Sequence, residues 1–321
     1  MKKNIVIFGG GNGTANTINA LKENKNLNLS AVISTSDSGG SSGELRKKFE
    51  TLPPGDIMRA VLAMSKYDYK ILKKIFYKSR FENVGRLDKH NLGNLFLVLS
   101  EKYNDDYMSS IRALEQAVDA VGQVYPATLK QNDLVVELSN GDIVRGETNI
   151  DRPEYDRSLK IKKAWLEPEV EIYEEVREII EAADYILLGS GSFFTSIIAS
   201  ILPLGIKKAI EKSKAKLIYI CGNAYETHGE TGPEILSDFV KKLEEYLPCK
   251  LDYIIYNNHE LTEDEKKQYL QKKWAVFPAD TENLKGHNLI QKDYEANENG
   301  GVGLSTKKLG KILNEIIDYG N

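Results

Sequence analysis

Short apolar runs alternate along this chain with longer segments whose apolar residues recur every three to four positions. The runs predict buried strands at residues 5–8, 28–34, 185–188, 216–221 and 253–256. The periodic segments predict helices at residues 14–24, 169–182, 233–247 and 305–319. Strands that alternate with helices form parallel sheets covered by helices on both faces. The pattern therefore predicts an α/β fold, Rossmann-like and doubly wound, around a mostly parallel sheet.

Two stretches interrupt this alternation. Residues 53–121 have a mainly helical pattern, with helix starts near Pro54 and His90 and a third helix over 108–120. Residues 122–167 contain strand patterns at 123–128, 133–138 and 142–146, and a hairpin turn at 139–142 joins the last two. We therefore expect a single domain over residues 1–321 with a helical and a small β-rich insertion. The polar region 263–303 gives no clear prediction.

Composition narrows the class of protein. Of 321 residues, 41% are hydrophobic and 28% charged, which is ordinary for a soluble globular chain. The net charge of −4 favours neither nucleic acid nor an anionic membrane as a partner. The apolar runs are too short to span a bilayer, and the N-terminus leads straight into a strand rather than a signal peptide. Two cysteines without metal-type spacing favour a cytoplasmic location.

A glycine-rich loop follows the first predicted strand. Gly10, Gly11 and Gly13 would let the backbone approach a phosphate, and Thr14 would cap the helix or bond an oxygen. The alternative is a glycine turn that only lets the helix pack on the sheet. The loop is not the dinucleotide fingerprint, because Thr14 stands at the third glycine position and residues 34–36 lack a ribose-binding acid. A nicotinamide dehydrogenase is therefore disfavoured.

A second Ser/Gly run follows the second predicted strand. Asp37 would bind Mg²⁺ or a ribose hydroxyl, and the residues after it would bond phosphate oxygens: Gly39, Gly40, Ser41 and Ser42. The alternative is a flexible loop with a helix cap. Asp56 stands at a predicted helix start, where it would cap the helix or act with Asp37 as a metal ligand or base.

Three further groups of polar residues precede or follow predicted elements. His90, Asn91 and Asn94 lie within one turn of a helix start, either as structural groups or facing a ligand. A Gly/Ser turn after the strand at 185–188 predicts a second anion-binding site, against an ordinary βα turn, formed by Gly189, Gly191, Ser192, Thr195 and Ser196. Asn223, Glu230 and Thr231 would reach the same crevice, unless the last two cap the next helix.

Other common site types are not indicated by the sequence. It shows no Ser/His/Asp hydrolase elbow, no His/Cys metal cluster and no Walker-type Gly-Lys-Ser/Thr. A P-loop ATPase and a zinc enzyme are therefore disfavoured.

Taken together, these residues resemble the family of CofD-like and YvcK-like proteins, which includes 2-phospho-L-lactate transferases and gluconeogenesis factors. The resemblance covers about residues 4–258. Its specific feature is the Gly-Gly-Ser-Ser-Gly run combined with Leu-Pro-Pro-Gly-Asp. Five blocks match in order, at residues 7–11, 37–46, 52–57, 90–95 and 189–196.

The resemblance implies a Rossmann-like fold that binds a nucleotide diphosphate at the strand ends, and self-association as a homo-oligomer. The YvcK-like branch implies a UDP-sugar-binding regulator linked to cell shape and carbon source. The transferase branch implies transfer of a phospholactyl group from a guanosine-linked donor to a deazaflavin alcohol, with Mg²⁺ held by Asp37 and Asp56.

The chain departs from the family pattern at several positions. Ser38 stands where a second acid is common, and Met58-Arg59 replaces the usual Arg-Asn. Lys89 stands in place of a glycine, and Ser190 in place of a proline. Loss of one carboxylate argues against metal-assisted transfer, whereas the phosphate-binding loops are retained. We therefore expect a nucleotide-sugar-binding protein, with the transferase as the alternative.

Overall fold

The central element of the fold is a parallel sheet, seven-stranded within the part of the chain described here. The computed structural model describes residues 2–104, 106–297 and 301–319. The strand order is β12-β10-β8-β7-β1-β2-β3, and every neighbouring pair is parallel. The strands are β1 (Lys3–Gly9), β2 (Leu27–Ile33), β3 (Gln123–Pro126), β7 (Tyr185–Leu188), β8 (Lys216–Cys221), β10 (Tyr253–Asn257) and β12 (Asn288–Lys292).

Helices cover the sheet because its strands are apolar on both faces. Ile5, Ile7 and Phe8 of β1 are completely buried, and burial of each such side chain contributes about 1.5–3 kcal/mol. The helices are α1 (Gly11–Leu21), α2 (Gly40–Phe49), α3 (Pro54–Met64), α4 (Tyr69–Leu72), α5 (Leu92–Asn104), α6 (Tyr107–Ala117), α7 (Glu147–Asp151), α8 (Glu174–Glu181), α9 (Ala199–Ile201), α10 (Ile206–Lys212), α11 (Leu236–Tyr246), α12 (Glu263–Gln271) and α13 (Thr306–Tyr319). The predicted Rossmann-like α/β fold is confirmed.

The β-rich segment forms a small antiparallel sheet in the order β5-β4-β6. Its strands are β4 (Asp133–Leu138), β5 (Ile143–Arg145) and β6 (Ile161–Glu167). The strand at 123–126, which we predicted in this insertion, instead pairs in parallel with β2, with Val124 opposite Ala31. A strand pattern does not name its partner, since pairing is decided by contacts distant in sequence.

Several helix boundaries differ from the prediction. Helix α1 begins at Gly11, three residues early, and α2 begins at Gly40, inside the run predicted as a loop. Helix α8 begins at Glu174, and α11 begins at Leu236, so Pro233 precedes the helix rather than lying in its first turn. Boundaries depend on capping contacts that periodicity does not contain.

The unassigned region 263–303 is structured over most of its length. It contains α12, the strand β11 (Trp274–Val276) and the sheet strand β12. Strand β11 pairs antiparallel with β9 (Ala224–Glu226), which places it beside the carboxyl end of β8. Within the described residues, no helix combines the length and apolar character needed to cross a bilayer.

Candidate functional site

The candidate site lies where β1 and β7 are neighbours in the sheet. The chain leaves β1 toward β2 on one side, while β7 continues toward β8 on the other. Such a reversal of strand order opens a crevice at the carboxyl ends of the strands. A cavity of about 1000 Å³ lies here. Twelve of the predicted site residues line it: Gly10, Gly11, Gly13, Asp37, Asp56, Gly191, Ser192, Thr195, Ser196, Asn223, Glu230 and Thr231.

The loops after β1 and β7 touch each other across the crevice. A Cβ atom on Gly13 would overlap the main-chain carbonyl of Ser190. A Cβ atom on Gly10 would lie 2.7 Å from Asp56 Oδ2 and 3.3 Å from Ser196 Oγ. Gly13 is therefore required by the close approach of main-chain atoms, whereas a Cβ at Gly10 would displace only side-chain ends. Both glycines leave main-chain atoms at the cavity surface.

Two carboxylates of the protein occupy main-chain amides at the predicted anion sites. The amide of Gly11 donates to Asp56 Oδ2 at 2.8 Å. The amides of Phe194 and Thr195 donate to Glu230 at 3.0 and 2.9 Å. Burial raises the pKa of Glu230 despite these bonds. Glu230 therefore caps the π-helical segment Phe193–Ile198 rather than α11. Fewer main-chain amides at this segment are free to bind a ligand than we predicted.

Asp37 and Asp56 form the acidic wall of the cavity. Burial, followed by the nearby charge of Asp56, raises the pKa of Asp37. Asp37 Oδ1 accepts from the amide of Gly39 at 2.9 Å. Asp56 forms an ion pair with Arg59, one turn along α3, so both of its oxygens are engaged by donors. The two predicted carboxylates thus lie close to each other. The charge of Asp56 is balanced by Arg59, whereas Asp37 has no such ion pair within the described residues.

The β-rich insertion adds an acid to this wall that the sequence did not indicate. Ser38 Oγ lies 3.1 Å from Thr148 Oγ1 and accepts from the Thr148 amide at 3.1 Å. These bonds hold Glu147 beside Asp37 at the cavity surface. Burial first, and then the charge of Asp37, raise the pKa of Glu147 to about 8. No signal in one sequence connects residues more than a hundred positions apart.

The opposite end of the cavity is aromatic and amide-rich. The Tyr269 hydroxyl has one proton to donate and lies 2.9 Å from Glu295 Oε2 and 3.3 Å from Asn223 Oδ1, so the nearer carboxylate is its main acceptor. Trp274 and Tyr294 complete this end. Asn223 is 4% exposed, and its Nδ2 has no hydrogen-bond partner among the described residues. A buried donor without a partner is costly, so this atom indicates a place for a ligand acceptor.

Sequence reasoning placed Asn223 at the site but not the residues around it. Tyr269 lies on α12, which begins with a capping box in which Thr262 and Glu265 exchange side-chain and main-chain bonds. The Thr-x-x-Glu pattern is visible in the sequence and would have located this helix. Trp274, Tyr294 and Glu295 lie in the segments without a clear period, where only tertiary contacts place them.

The remaining predicted site residues do not line this cavity. His90 Nδ1 lies 2.8 Å from Ser41 Oγ, and Asn94 Nδ2 donates to the same hydroxyl at 3.1 Å. His90, Asn91 and Asn94 are buried, with Asn91 Nδ2 and Asn94 Oδ1 unpartnered within the described part of the chain. This cluster lies at the start of α2. Also outside the cavity lining are Thr14, Gly39, Gly40, Ser42 and Gly189.

Two of these residues form hydrogen bonds that hold the main chain of the glycine loops. Thr14 Oγ1 donates to the carbonyl of Gly10 at 3.0 Å. The carbonyl of Gly189 accepts from Thr17 Oγ1 at 3.1 Å. These bonds hold the ends of both glycine loops, so the residues position main-chain atoms rather than facing the cavity themselves.

Comparison with known proteins identifies the family. The family model described as 2-phospho-L-lactate transferase CofD matches residues 5–294. The chain belongs to the CofD family. Within that family it is similar to the gluconeogenesis factor of Bacillus subtilis, with 32% identity over 98% of both chains. It is also similar to the gluconeogenesis factor of Halalkalibacterium halodurans, with 33% identity over 88% of this chain and 86% of the other.

A solved CofD-family relative has the same fold. The crystal structure of a protein from Bacillus halodurans superimposes with a TM-score of 0.89 at 30% sequence identity. The superposition covers 98% of this chain and 99% of that chain. A second structure, described as a member of the UPF0052 family, gives a TM-score of 0.87 at 29% identity. The agreement extends over the insertions as well as the central sheet, since nearly the whole chain is covered.

Transferases of the CofD family typically depend on Mg²⁺ and use a nucleotide donor. Among the described residues, no three His, Cys, Asp or Glu side chains are grouped as a metal site. Mg²⁺ is commonly held by one or two carboxylates together with substrate phosphates. Asp37 fits that mode, because it is buried and incompletely compensated. Asp56 fits less well, because the positive charge of its ion-pair partner Arg59 opposes a second cation at the same carboxylate.

Proposed function

We propose that this CofD-family protein binds a nucleotide diphosphate-linked ligand of the UDP-sugar type. The protein would be cytoplasmic, and it would regulate the cell envelope or central carbon metabolism. The observation that carries the proposal is one cavity with two chemically different ends. Main-chain atoms of two glycine loops form one end, and amide and aromatic groups form the other. A diphosphate-linked ligand has the same division between its phosphates and its base or sugar.

The similarity to proteins named gluconeogenesis factor supports the regulatory role. Ser38 also supports the regulatory role, because a serine stands where an acid is common in this family. Its hydroxyl bonds Thr148 of the β-rich insertion. A site that lacks the second acid of this loop retains phosphate contacts but loses a ligand for metal-assisted transfer.

The alternative function is a Mg²⁺-dependent transferase, which moves a phospholactyl-type group from a nucleotide donor to a deazaflavin alcohol. The family model favours it, since its description names a 2-phospho-L-lactate transferase. Asp37 would then hold Mg²⁺, which would offset negative charge on the diphosphate oxygens while the acceptor alcohol attacks phosphorus and the nucleotide leaves.

Thermal unfolding with a nucleotide panel separates these functions. We expect UDP-N-acetylglucosamine to raise the melting temperature without Mg²⁺, since a ligand at 100 times its Kd stabilises by about 2.7 kcal/mol. GDP should have little effect. Stabilisation by GDP with a deazaflavin, together with turnover that Asp37→Asn abolishes, would establish the transferase instead. Absence of a shift with any nucleotide contradicts both.

Replacement of Asn223 tests the amide end of the cavity. Asn223→Asp keeps the acceptor for Tyr269 but removes the unpartnered donor. We expect at least a tenfold weaker affinity for the UDP-sugar, because a ligand acceptor left without its donor costs about 1–3 kcal/mol and a buried charge costs more. Isothermal titration calorimetry measures the change.

The matched control is Asn258→Asp, which adds the same charge at an exposed position after β10. Its affinity should equal that of the wild type. Equal affinities for Asn223→Asp and the wild type, with both proteins folded by thermal melting, would exclude a ligand contact at Asn223.

A further inference from the structure

The sequence pattern predicts no role for Arg59 in the candidate site. This residue lines the cavity, and its side chain is only 15% exposed. Its Nη2 donates to Asp56, whereas its buried Nε has no hydrogen-bond partner in the described part of the structure. A guanidinium presents five N–H donors in a fixed fork that matches phosphate oxygens. This one retains donor capacity at the cavity wall.

The orientation of the guanidinium is fixed by its surroundings. Its Cζ lies 4.9 Å from the centre of the Tyr77 ring, and Tyr77 also lines the cavity. The exposed Arg80 approaches the same ring at 5.7 Å but does not line the cavity. Because Asp56 also accepts from the Gly11 amide, Arg59 is tied to the first glycine loop through one shared carboxylate.

Charge near the glycine loop makes a cation necessary for phosphate binding. Asp37 and Asp56 lie in this part of the cavity beside Glu147, whose pKa of about 8 leaves it largely protonated near neutral pH, and a diphosphate would add negative charge. Arg59 is connected to the first glycine loop through Asp56, whereas the other cavity-lining cations Arg152, Arg157 and Lys160 lie on the β-rich insertion. Arg157 donates to the carbonyl of Gly229, and Lys160 pairs with Glu234.

Arg59 is suited to supply that cation. Burial is the largest single effect and lowers the pKa of the Arg59 guanidinium, but the combined influence of Asp56, Tyr77, Asp37 and Tyr69 holds that pKa above its usual value. The side chain therefore stays charged at all physiological pH values.

We infer that Arg59 binds a phosphate group of the ligand and that, with Asp56 paired to it, the site holds a diphosphate without a divalent cation. The inference rests on the proposed nucleotide-diphosphate function. Beyond that function, Arg59 is the side chain that contacts a phosphate, and Asp56 pairs with Arg59 instead of with a metal ion. Each oxygen of the Asp56 carboxylate already accepts a hydrogen bond, and the positive charge of Arg59 beside it opposes the approach of Mg²⁺.

The test is calorimetric titration of the full chain with UDP and with uridine, each in EDTA and in Mg²⁺. The variants are Arg59→Gln, Arg59→Lys and the control Arg80→Gln. The control removes the other guanidinium that contacts the Tyr77 ring, and that guanidinium lies outside the cavity lining. We expect wild-type affinity for UDP to differ less than twofold between EDTA and Mg²⁺. Arg59→Gln should weaken UDP binding at least tenfold in EDTA, while affinity for uridine, which has no phosphate, stays unchanged.

Arg59→Lys should bind UDP at least threefold more weakly than wild type, and Arg80→Gln should match wild type. The inference is overturned if Arg59→Gln binds UDP as tightly as wild type in EDTA, or if EDTA weakens wild-type binding tenfold. If Arg59→Gln does not fold, an Arg59→Lys affinity equal to wild type overturns it. Failure of wild type to bind UDP or GDP overturns the proposed function itself, so the two failures are distinct.

Discussion

Replacing Glu147 by glutamine should stabilise the protein above pH 8 by about 2–4 kcal/mol. Burial first, and then the charge of Asp37, raise the pKa of Glu147 from its ordinary value of 4.5 to about 8. Between pH 4.5 and 8, Glu147 therefore keeps its proton in the folded state but has lost it in the unfolded state. The associated stability is complete below about pH 4.5 and is lost as the pH rises through 8, at up to about 1.4 kcal/mol per unit. Solvent screening of this partly exposed side chain reduces the total to about 2–4 kcal/mol.

Chemical denaturation at pH 5, 7 and 9 measures this effect. The wild type should lose stability over this range relative to Glu147→Gln, whose side chain does not ionise. Glu154→Gln is the matched control, since Glu154 is exposed on the same insertion, and it should differ from wild type by no more than about 0.5 kcal/mol. Parallel pH profiles for wild type and Glu147→Gln would contradict the burial of an acid at the cavity.

Replacing Gly13 by alanine should destabilise the fold by about 3 kcal/mol or more. Alanine is preferred over glycine in a helix by about 1 kcal/mol, and Gly13 lies in the first turn of α1. Its Cβ, however, would overlap the main-chain carbonyl of Ser190. Main-chain atoms cannot move aside as a flexible side chain can, so the overpacking cost exceeds the helical gain. Thermal and urea unfolding measure the difference.

Gly222→Ala provides the control, because Gly222 also lines the cavity but a Cβ there would meet only the amide nitrogen of Ala224, at 4.0 Å. Its stability should remain within about 0.5 kcal/mol of wild type. Equal stabilities for Gly13→Ala and Gly222→Ala would show that the loops after β1 and β7 are not in contact as described.

The fold was largely predictable because its signals are local. The strand β1 and the helix α13 follow from apolar runs and helical spacing within a few residues. The helix start at Pro54 was also local, since proline at the first turn is a property of the sequence itself. The strand β3 was placed in the wrong sheet because its partner β2 lies about ninety residues earlier.

The site was predictable only in part. Glycines that follow β1 and β7 must lie at the carboxyl edge of the sheet, so their meeting at one cavity followed from fold class. Whether the helix amides there are free did not follow. Glu230 takes the amides of Phe194 and Thr195, and Asp56 takes that of Gly11. Both carboxylates come from elsewhere in the chain, so local patterns contain no trace of these bonds.

The sequence by itself thus determined the α/β alternation, the family and the residues that follow the sheet strands. Only the tertiary structure decided which charges face one another. It brought Glu147 beside Asp37 through Ser38 and Thr148, and it paired Arg59 with Asp56 at the cavity wall. The reason is physical: secondary structure depends on neighbours along the chain, whereas burial and charge pairing depend on neighbours in space.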